Sequence, residues 1–191
     1  YVHFKIGHAG TLDPLATGLL IVCTGKKTKE ISQFQDLPKE YTGTFFIGAT
    51  TPCFDLEKEV DFTFPIEHIT EQLIYDTAKS FVGVQQQVPP MFSAVKVDGK
   101  RVYELARLGK EIELKAREIE IINFEITSCN LPHVGFKINC TKGTYIRSIA
   151  RDFGLALNSG AHLTELCRTK IGDFCIEDSK TPEEFINQII I

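Results

Sequence analysis

The sequence predicts a mixed α/β (α+β) domain with a largely antiparallel sheet, and three observations support this class. Two β-prone runs, 117–129 and 134–140, flank the turn Asn130-Leu131-Pro132-His133 and therefore predict a hairpin. Residues 65–81 carry apolar side chains near helical spacing. The chain has 191 residues, 43% of them hydrophobic, so it can bury a core within one domain.

The first element is a glycine-rich loop followed by a short apolar run. Residues 7–18 contain three glycines, a proline and two threonines, which favour turns. Leu19–Cys23 is apolar and predicts a short buried strand. Asp13 is the only acidic residue in the first 29. Its carboxylate could cap a turn, since Asp-Pro is a common turn initiator, or could serve as a nucleophile or a metal ligand.

The next elements are a short helix, a strand and a longer helix. Thr28 predicts the N-cap of a helix that ends near Phe34. Tyr41–Thr50 is rich in aromatic and β-branched residues and predicts a strand. Residues 65–81 predict an amphipathic helix that serves as scaffold.

The second half of the chain begins with a predicted hairpin and helix. Ser93–Val97 predicts a strand, Asp98-Gly99 a tight turn, and Arg101–Leu108 a helix. This block would present Lys96, Lys100 and Arg101 to a phosphate group, whereas Tyr103 is expected to pack.

Two further helices are expected after the 117–140 hairpin. One begins near Tyr145 and runs to about Leu157. The other begins at Thr181-Pro182-Glu183-Glu184, a capping box with proline at the first helical position.

Composition excludes several classes of protein. No stretch approaches the ~18 apolar residues of a transmembrane helix. The first five residues lack the basic start and apolar middle of a signal peptide. The six cysteines include no CxxC pair, which argues against a zinc site. Their apolar surroundings indicate reduced core thiols, so we expect a cytoplasmic protein.

Charge is distributed unevenly along the chain, although the net charge is only −4. Residues 137–151 carry four basic and no acidic side chains, and 96–117 carry seven basic and four acidic. Residues 55–76 carry seven acids and one lysine. A basic face could therefore meet phosphates, although ordinary solvated surfaces would explain the same runs.

Four segments carry a resemblance to a known family. The string GHAGTLDPLATGLL at 7–20 resembles the signature of the TruB family of tRNA pseudouridine synthases, bacterial type. Residues 89–107, KGTYIR at 142–147 and GAHLTELCR at 160–168 resemble its other motifs. Cys167 departs from the pattern, because the family usually has an arginine there. The resemblance spans nearly all of residues 5–184.

The resemblance implies the pseudouridine synthase fold and the isomerisation of uridine to pseudouridine in the T-loop of tRNA, at position 55, after base flipping. It makes Asp13 the nucleophile and Arg147 its partner, since a nearby guanidinium favours an ionised carboxylate. Asp55 matches a structural or RNA-contacting acid. The residues expected at the target base are Tyr41, Tyr145, Leu166 and, nearby, His8.

Partners and cofactors follow from the same resemblance. We expect tRNA as the partner, with no membrane and no obligate protein partner. Neither a metal nor a redox cofactor is expected, because the reaction has no net redox or hydrolytic change. Two alternatives stay open. A protein that binds and folds the T-loop without catalysis need not keep Asp13, and a hydrolase would need further clustered carboxylates or histidines.

Residues 1–172 are expected to form the catalytic domain and 173–191 a tail with a short helix. This tail is too short for the separate C-terminal RNA-binding domain that family members often carry. The KPxGxTS segment of the family is absent and the first residue is tyrosine, so we expect the natural N-terminus to lie upstream.

Overall fold

A computed structural model describes residues 5–91, 96–97, 100–101 and 114–189. The described strands are β1 Ile6–His8, β2 Thr17–Gly18, β3 Val22–Thr24, β4 Lys39–Ile47, β5 Ala49–Thr50, β6 Phe62–Thr63, β7 Gly83–Gln87, β8 Lys96–Val97, β9 Lys100–Arg101, β10 Arg117–Asn130, β11 His133–Cys140, β12 Ala161–Ile171 and β13 Phe174–Cys175. The described α-helices are α1 Ile31–Asp36, α2 Glu71–Ser80, α3 Ile146–Ala156 and α4 Pro182–Ile189, and 3-10 helices span Gly25–Glu30 and Ile176–Asp178.

The main sheet confirms the predicted fold class. Its strand order is β13-β12-β4-β11-β10-β7, with every neighbouring pair antiparallel, and β2 adds to β12 in parallel. The long strands β4, β10, β11 and β12 form the centre. No helix in the described part of the chain has the length and apolar character needed to cross a bilayer.

The core lies between this sheet and two helices. α2 packs against β10, and α3 packs against β12. Phe45 of β4 is fully buried and stacks on Phe136 with 4.2 Å between ring centroids. The ring centroid of Phe153, on α3, lies 5.4 Å from that of Phe45. Aromatic rings bury large apolar areas, so this cluster fixes α3, and the side chains that it carries, against the sheet.

The hairpin of β10 and β11 confirms the sequence prediction, but its pleat contains an irregularity. Strict alternation along this run would place Ile119, Ile121, Asn123, Glu125 and Thr127 on one side of the sheet. A register shift between Ile121 and Asn123 moves the buried set, so that Ile119, Ile121, Phe124 and Ile126 face the core. An extra residue at a bulge reverses the alternation, and local sequence does not reveal where it falls.

The strand predicted over Leu19–Cys23 is wrong in both position and burial. Two shorter strands, β2 and β3, lie on either side of most of this run. Leu19 and Cys23 are buried, but Leu20 and Val22 are exposed. Among the described strands β3 pairs with β1 alone, in a two-stranded sheet, and its residues on either side of Cys23 are exposed.

Two helix starts also differ from the sequence prediction. Thr28 lies within a 3-10 helix and donates its hydroxyl to the carbonyl of Gly25 at 2.8 Å, so it does not cap α1. α2 begins at Glu71 instead of near residue 65, because Thr70 caps it by accepting from the N–H of Leu73. The apolar residues before Thr70 have helical spacing, but they lie in a turn and do not form a helix.

The remaining predictions have mixed outcomes. β8 and β9 pair as the expected hairpin, so Arg101 lies in a strand instead of beginning a helix. The rest of the predicted helix, with Tyr103, lies outside the described residues. At α4 the capping box is confirmed: the Glu184 N–H donates to the Thr181 hydroxyl at 3.2 Å, and Thr181 N–H donates to the Glu184 carboxylate at 2.7 Å. All six cysteines are free thiols, but only Cys23, Cys53 and Cys140 are buried as predicted, and the other three are partly exposed.

Candidate active site

The glycine-rich loop that carries Asp13, the Asp13 loop, contains a tight turn. The backbone carbonyl of Asp13 accepts a hydrogen bond from the N–H of Ala16 at 2.9 Å, across the intervening proline. The turn expected from Asp-Pro is therefore present, and it uses the backbone of Asp13. The side chain stays available and is about one third exposed.

Arg168 anchors this loop to the sheet. Its side chain is 2% exposed, and its guanidinium donates to the carbonyls of Leu19 at 2.8 Å and Gly10 at 3.1 Å. The Leu19 N–H returns a hydrogen bond to the Arg168 carbonyl at 2.8 Å. Sequence reasoning noted this arginine only as part of a motif and did not assign it this role. β12 itself was not predicted as a strand.

Gly18 is required where the loop crosses β12. Its φ is +109°, and a Cβ there would lie 2.3 Å from the backbone carbonyl oxygen of Arg168. We expect Gly18→Ala to lower the free energy of unfolding by about 2 kcal/mol or more, because left-handed strain and a backbone clash add. Gly25→Ala is the matched control, since Gly25 has φ +56° and no atom within 4 Å of the added Cβ. Equal losses in urea denaturation would contradict this.

The Asp13 carboxylate forms a two-pronged ion pair with Arg147. Nη2 of Arg147 donates to Oδ1 of Asp13 at 2.6 Å, and Nε donates to Oδ2 at 2.9 Å. Arg147 is 3% exposed and lies in the first turn of α3. A planar guanidinium is always charged and matches both carboxylate oxygens at once. The predicted pairing is present, and it orients the carboxylate while leaving it open to solvent.

A second carboxylate, that of Asp55 in the segment after β5, also forms an ion pair with Arg147. Asp55 is buried, and its Oδ2 lies 3.6 Å from Nε of Arg147. The carbonyl of Cys53 also accepts from Arg147, at 3.4 Å. Between them Phe54 has φ +65°, an uncommon backbone conformation for a non-glycine residue. The structural option for Asp55 is therefore supported by its geometry.

An open cavity lies in front of the Asp13–Arg147 pair. The described residues that line it are Asp13, Leu15, Ala16, Asp55, Leu56, Arg147, Leu163, Thr164, Glu165 and Leu166. A register shift in β12 between Leu163 and Glu165 brings consecutive side chains of this strand to the cavity. Glu165 is held there by the Thr44 hydroxyl at 3.0 Å. The lining therefore combines leucine and alanine side chains with the charged groups of Asp13, Asp55, Arg147 and Glu165.

Three other residues predicted at the target base are not part of this cavity wall. Tyr41 of β4 pairs with Arg168 of β12 and packs against the core, close enough to Asp13 for that charge to affect its pKa. Tyr145 is the residue before α3, and the guanidinium of Arg117 lies 5.6 Å from its ring centre. His8 is exposed on β1. Tyr41, Tyr145 and His8 are not among the described lining residues.

Burial raises the pKa of Tyr41 to about 12, against an opposing effect of Arg168. Because the folded value exceeds the unfolded value of 10.0, this tyrosine contributes stability below pH 10 that is lost toward pH 12. We therefore expect the difference in unfolding free energy between wild type and Tyr41→Phe to be constant up to about pH 10 and to shrink above it. Urea titrations at several pH values measure this difference, and a constant value up to about pH 11.5 would contradict it.

Within the described part of the chain, no three His, Cys, Asp or Glu side chains group closely enough to hold a metal ion. The charged groups at the cavity include two carboxylates that share one arginine, an arrangement that orients the Asp13 carboxylate for attack.

The comparisons with known proteins agree with this geometry. Residues 2–146 match the family described as TruB family pseudouridylate synthase (N terminal domain). The chain belongs to the TruB family. It is therefore a pseudouridylate synthase, an isomerase, as the four motifs predicted. Asp13 and four other lining residues of the cavity lie within the matched TruB segment, and Arg147 follows it directly.

Two curated TruB relatives carry the name tRNA pseudouridine synthase B. The protein of Flavobacterium johnsoniae is 62% identical over 176 residues, covering 92% of this chain and 77% of the relative. That of Phocaeicola vulgatus is 58% identical over 181 residues, covering 95% and 77%.

A solved structure, a Cbf5-Nop10-Gar1 complex, contains a similar chain with a TM-score of 0.66 and 30% identity. The match covers 90% of this chain but spans only 41% of the solved one. It confirms the predicted pseudouridine synthase fold.

Proposed function

We propose that this TruB protein isomerises uridine to pseudouridine in tRNA, at position 55 of the T-loop. One observation carries the chemistry: the Asp13 carboxylate is oriented by two hydrogen bonds from Arg147 and lines an open cavity. The substrate class is supported by the relatives named tRNA pseudouridine synthase B.

The proposed reaction begins when the target uridine leaves its stack and enters the cavity. Leu166 forms one wall of the cavity. The family resemblance assigns Tyr41 and Tyr145 as stacking partners of the ring, with His8 nearby. Base–aromatic stacking contributes about 1–3 kcal/mol per base and needs no hydrogen bond.

The nucleophile in this mechanism is Asp13. Its carboxylate attacks the bound nucleotide, the bond from the sugar to N1 of uracil breaks, and the base turns and rejoins the sugar through C5. C5 releases its proton and N1 takes one up, and the bond between Asp13 and the nucleotide breaks, which regenerates the carboxylate. Arg147 stays charged throughout and holds the attacking oxygen in place.

The proposed tRNA contacts use positive charge near the cavity. Lys26 and Lys29 lie in the exposed 3-10 helix that follows β3, and Lys142 lies just before α3, where it also pairs with Asp36 at 2.7 Å. Such exposed pairs contribute little to stability, so Lys142 can exchange its partner for a phosphate. With a net charge of −4, we expect modest affinity that falls with salt.

We infer the setting of the protein from similar arguments. Residues 1–172 would form the catalytic domain and 173–191 a tail, and the protein would act without an obligate protein partner. Six free cysteines favour a reducing compartment, which supports the cytoplasm.

The test uses tRNA transcripts tritiated at C5 of uracil, incubated with the protein, followed by tritium release. We expect release of one tritium per transcript, and none from a transcript with cytidine at position 55. Release that persists with the cytidine transcript would move the target to another uridine. Binding without release would favour the T-loop binding protein, and absence of both would overturn the assignment to tRNA.

A further inference from the structure

The end of β7 is hydrogen-bonded to the beginning of α3 along successive turns. Oε1 of Gln87 accepts from the backbone N–H of Tyr145 at 2.8 Å, and Nε2 donates to the carbonyl of the same residue at 3.1 Å. The carbonyl of Val88 accepts from the Ser148 hydroxyl at 2.8 Å and from Arg151 at 3.4 Å. Gln87, the last residue of β7, and Val88, the next residue, thus bind α3 at three positions: Tyr145, Ser148 and Arg151.

Gln87 suits this place because its amide both donates and accepts. It is 3% exposed, so both amide atoms need partners within the protein. Tyr145 precedes the first turn of α3, and no side chain on the helix itself caps this end. The first N–H groups of a helix have no partner within it, and Gln87 supplies an external clamp at that position.

The clamp acts two residues away from the catalytic ion pair. Arg147 follows Tyr145 by two positions, in the first turn of α3, and its guanidinium meets both oxygens of Asp13. A reacting group must be held within about 0.5 Å of its productive position, and a misplacement of about 1 Å can cost about 10²-fold in rate. A shift of the start of α3 would move the Arg147 guanidinium and both of its hydrogen bonds to Asp13.

We propose that Gln87 is a positioning residue for the isomerisation: its amide fixes the start of α3, so that Arg147 holds Asp13 in the attacking orientation. This inference rests on the proposed function. Gln87 touches neither Asp13 nor the cavity, and its effect passes through the backbone of Tyr145.

Two substitutions remove the clamp in steps. Gln87→Glu keeps the acceptor for the Tyr145 N–H but places an oxygen against the Tyr145 carbonyl. Gln87→Met removes both hydrogen bonds at nearly equal volume. With enzyme in saturating excess over tritiated tRNA, we expect the single-turnover rate to fall about 10-fold in Gln87→Glu and up to about 100-fold in Gln87→Met, with tRNA affinity within about threefold of wild type.

The matched controls are Gln86→Glu and Gln86→Met. Gln86 precedes Gln87 on β7, pairs with Glu118 of β10 and is exposed, so its variants should keep the wild-type rate. The single-turnover rate per bound tRNA separates positioning from a smaller fraction of folded enzyme.

Rates at the wild-type level in both Gln87 variants would overturn the proposal. Unfolding of both, seen by circular dichroism together with lost tRNA binding, would also overturn it by showing a purely structural role. The wild-type reaction is the internal standard: if it releases no tritium, the proposed function fails, and the failure is not specific to Gln87.

Discussion

Replacing Asp13 with asparagine is expected to reduce tritium release from tRNA by about 10³-fold or more, while the fold and tRNA binding persist. The amide cannot act as the attacking carboxylate, so the covalent step is lost. The fold persists because Arg147 keeps its second acidic neighbour, Asp55, at 3.6 Å. Single-turnover release and tRNA affinity, measured on the same preparation, separate these two effects.

The control for this prediction is Asp76→Asn. Asp76 is an exposed residue of α2 whose only described ion pair, to Lys79, spans 3.8 Å at the surface. The Asp76→Asn substitution removes one negative charge from the protein, as Asp13→Asn does. We expect it to leave tritium release unchanged. An Asp13→Asn protein that still releases tritium at the wild-type rate would transfer the nucleophilic role to another group.

Removing the guanidinium of Arg147 is expected to affect both stability and rate. In Arg147→Met, Asp55 stays buried, with its side chain 7% exposed, but loses its cation. Breaking a buried pair in this way costs about 3–5 kcal/mol, so the free energy of unfolding should fall by that order. The rate of isomerisation should fall about 10²-fold or more, because Asp13 loses the two hydrogen bonds that orient it.

A double substitution separates the two effects of Arg147. In Arg147→Met combined with Asp55→Asn no unpaired charge is buried, so we expect much of the lost stability to return in urea denaturation while the rate stays low. Arg147→Lys keeps the charge but not the planar fork, and should give an intermediate rate. Full recovery of the rate in the double variant would contradict an orienting role for Arg147.

Local elements were the part of the fold that the sequence could predict. The β10–β11 hairpin and the capping box at Thr181 each depend on residues a few positions apart, whose propensities act directly. The bulge after Ile121 and the late start of α2 depend on how strands and helices meet in three dimensions. Apolar spacing alone therefore placed a helix over residues 65–70, where the chain makes a turn.

The candidate site shows the same division. Asp13 and Arg147 are 134 positions apart, and their pairing was expected from the family resemblance, not from any spacing. Arg168 contacts Leu19 and Gly10 across about 150 positions through backbone carbonyls, which leave no trace in residue type. Gln87 was missed for the same reason, since its partners are the peptide groups of Tyr145.

One consequence follows from the attachment of the Asp13 loop to β12. Arg168 holds the loop, and Leu166, two residues earlier on the same strand, forms a wall of the cavity. When thermal motion displaces this strand, the attacking group and the surface that receives the base are carried in the same direction. We therefore expect the separation between Asp13 and Leu166 to vary less with motion of the sheet than the position of either residue.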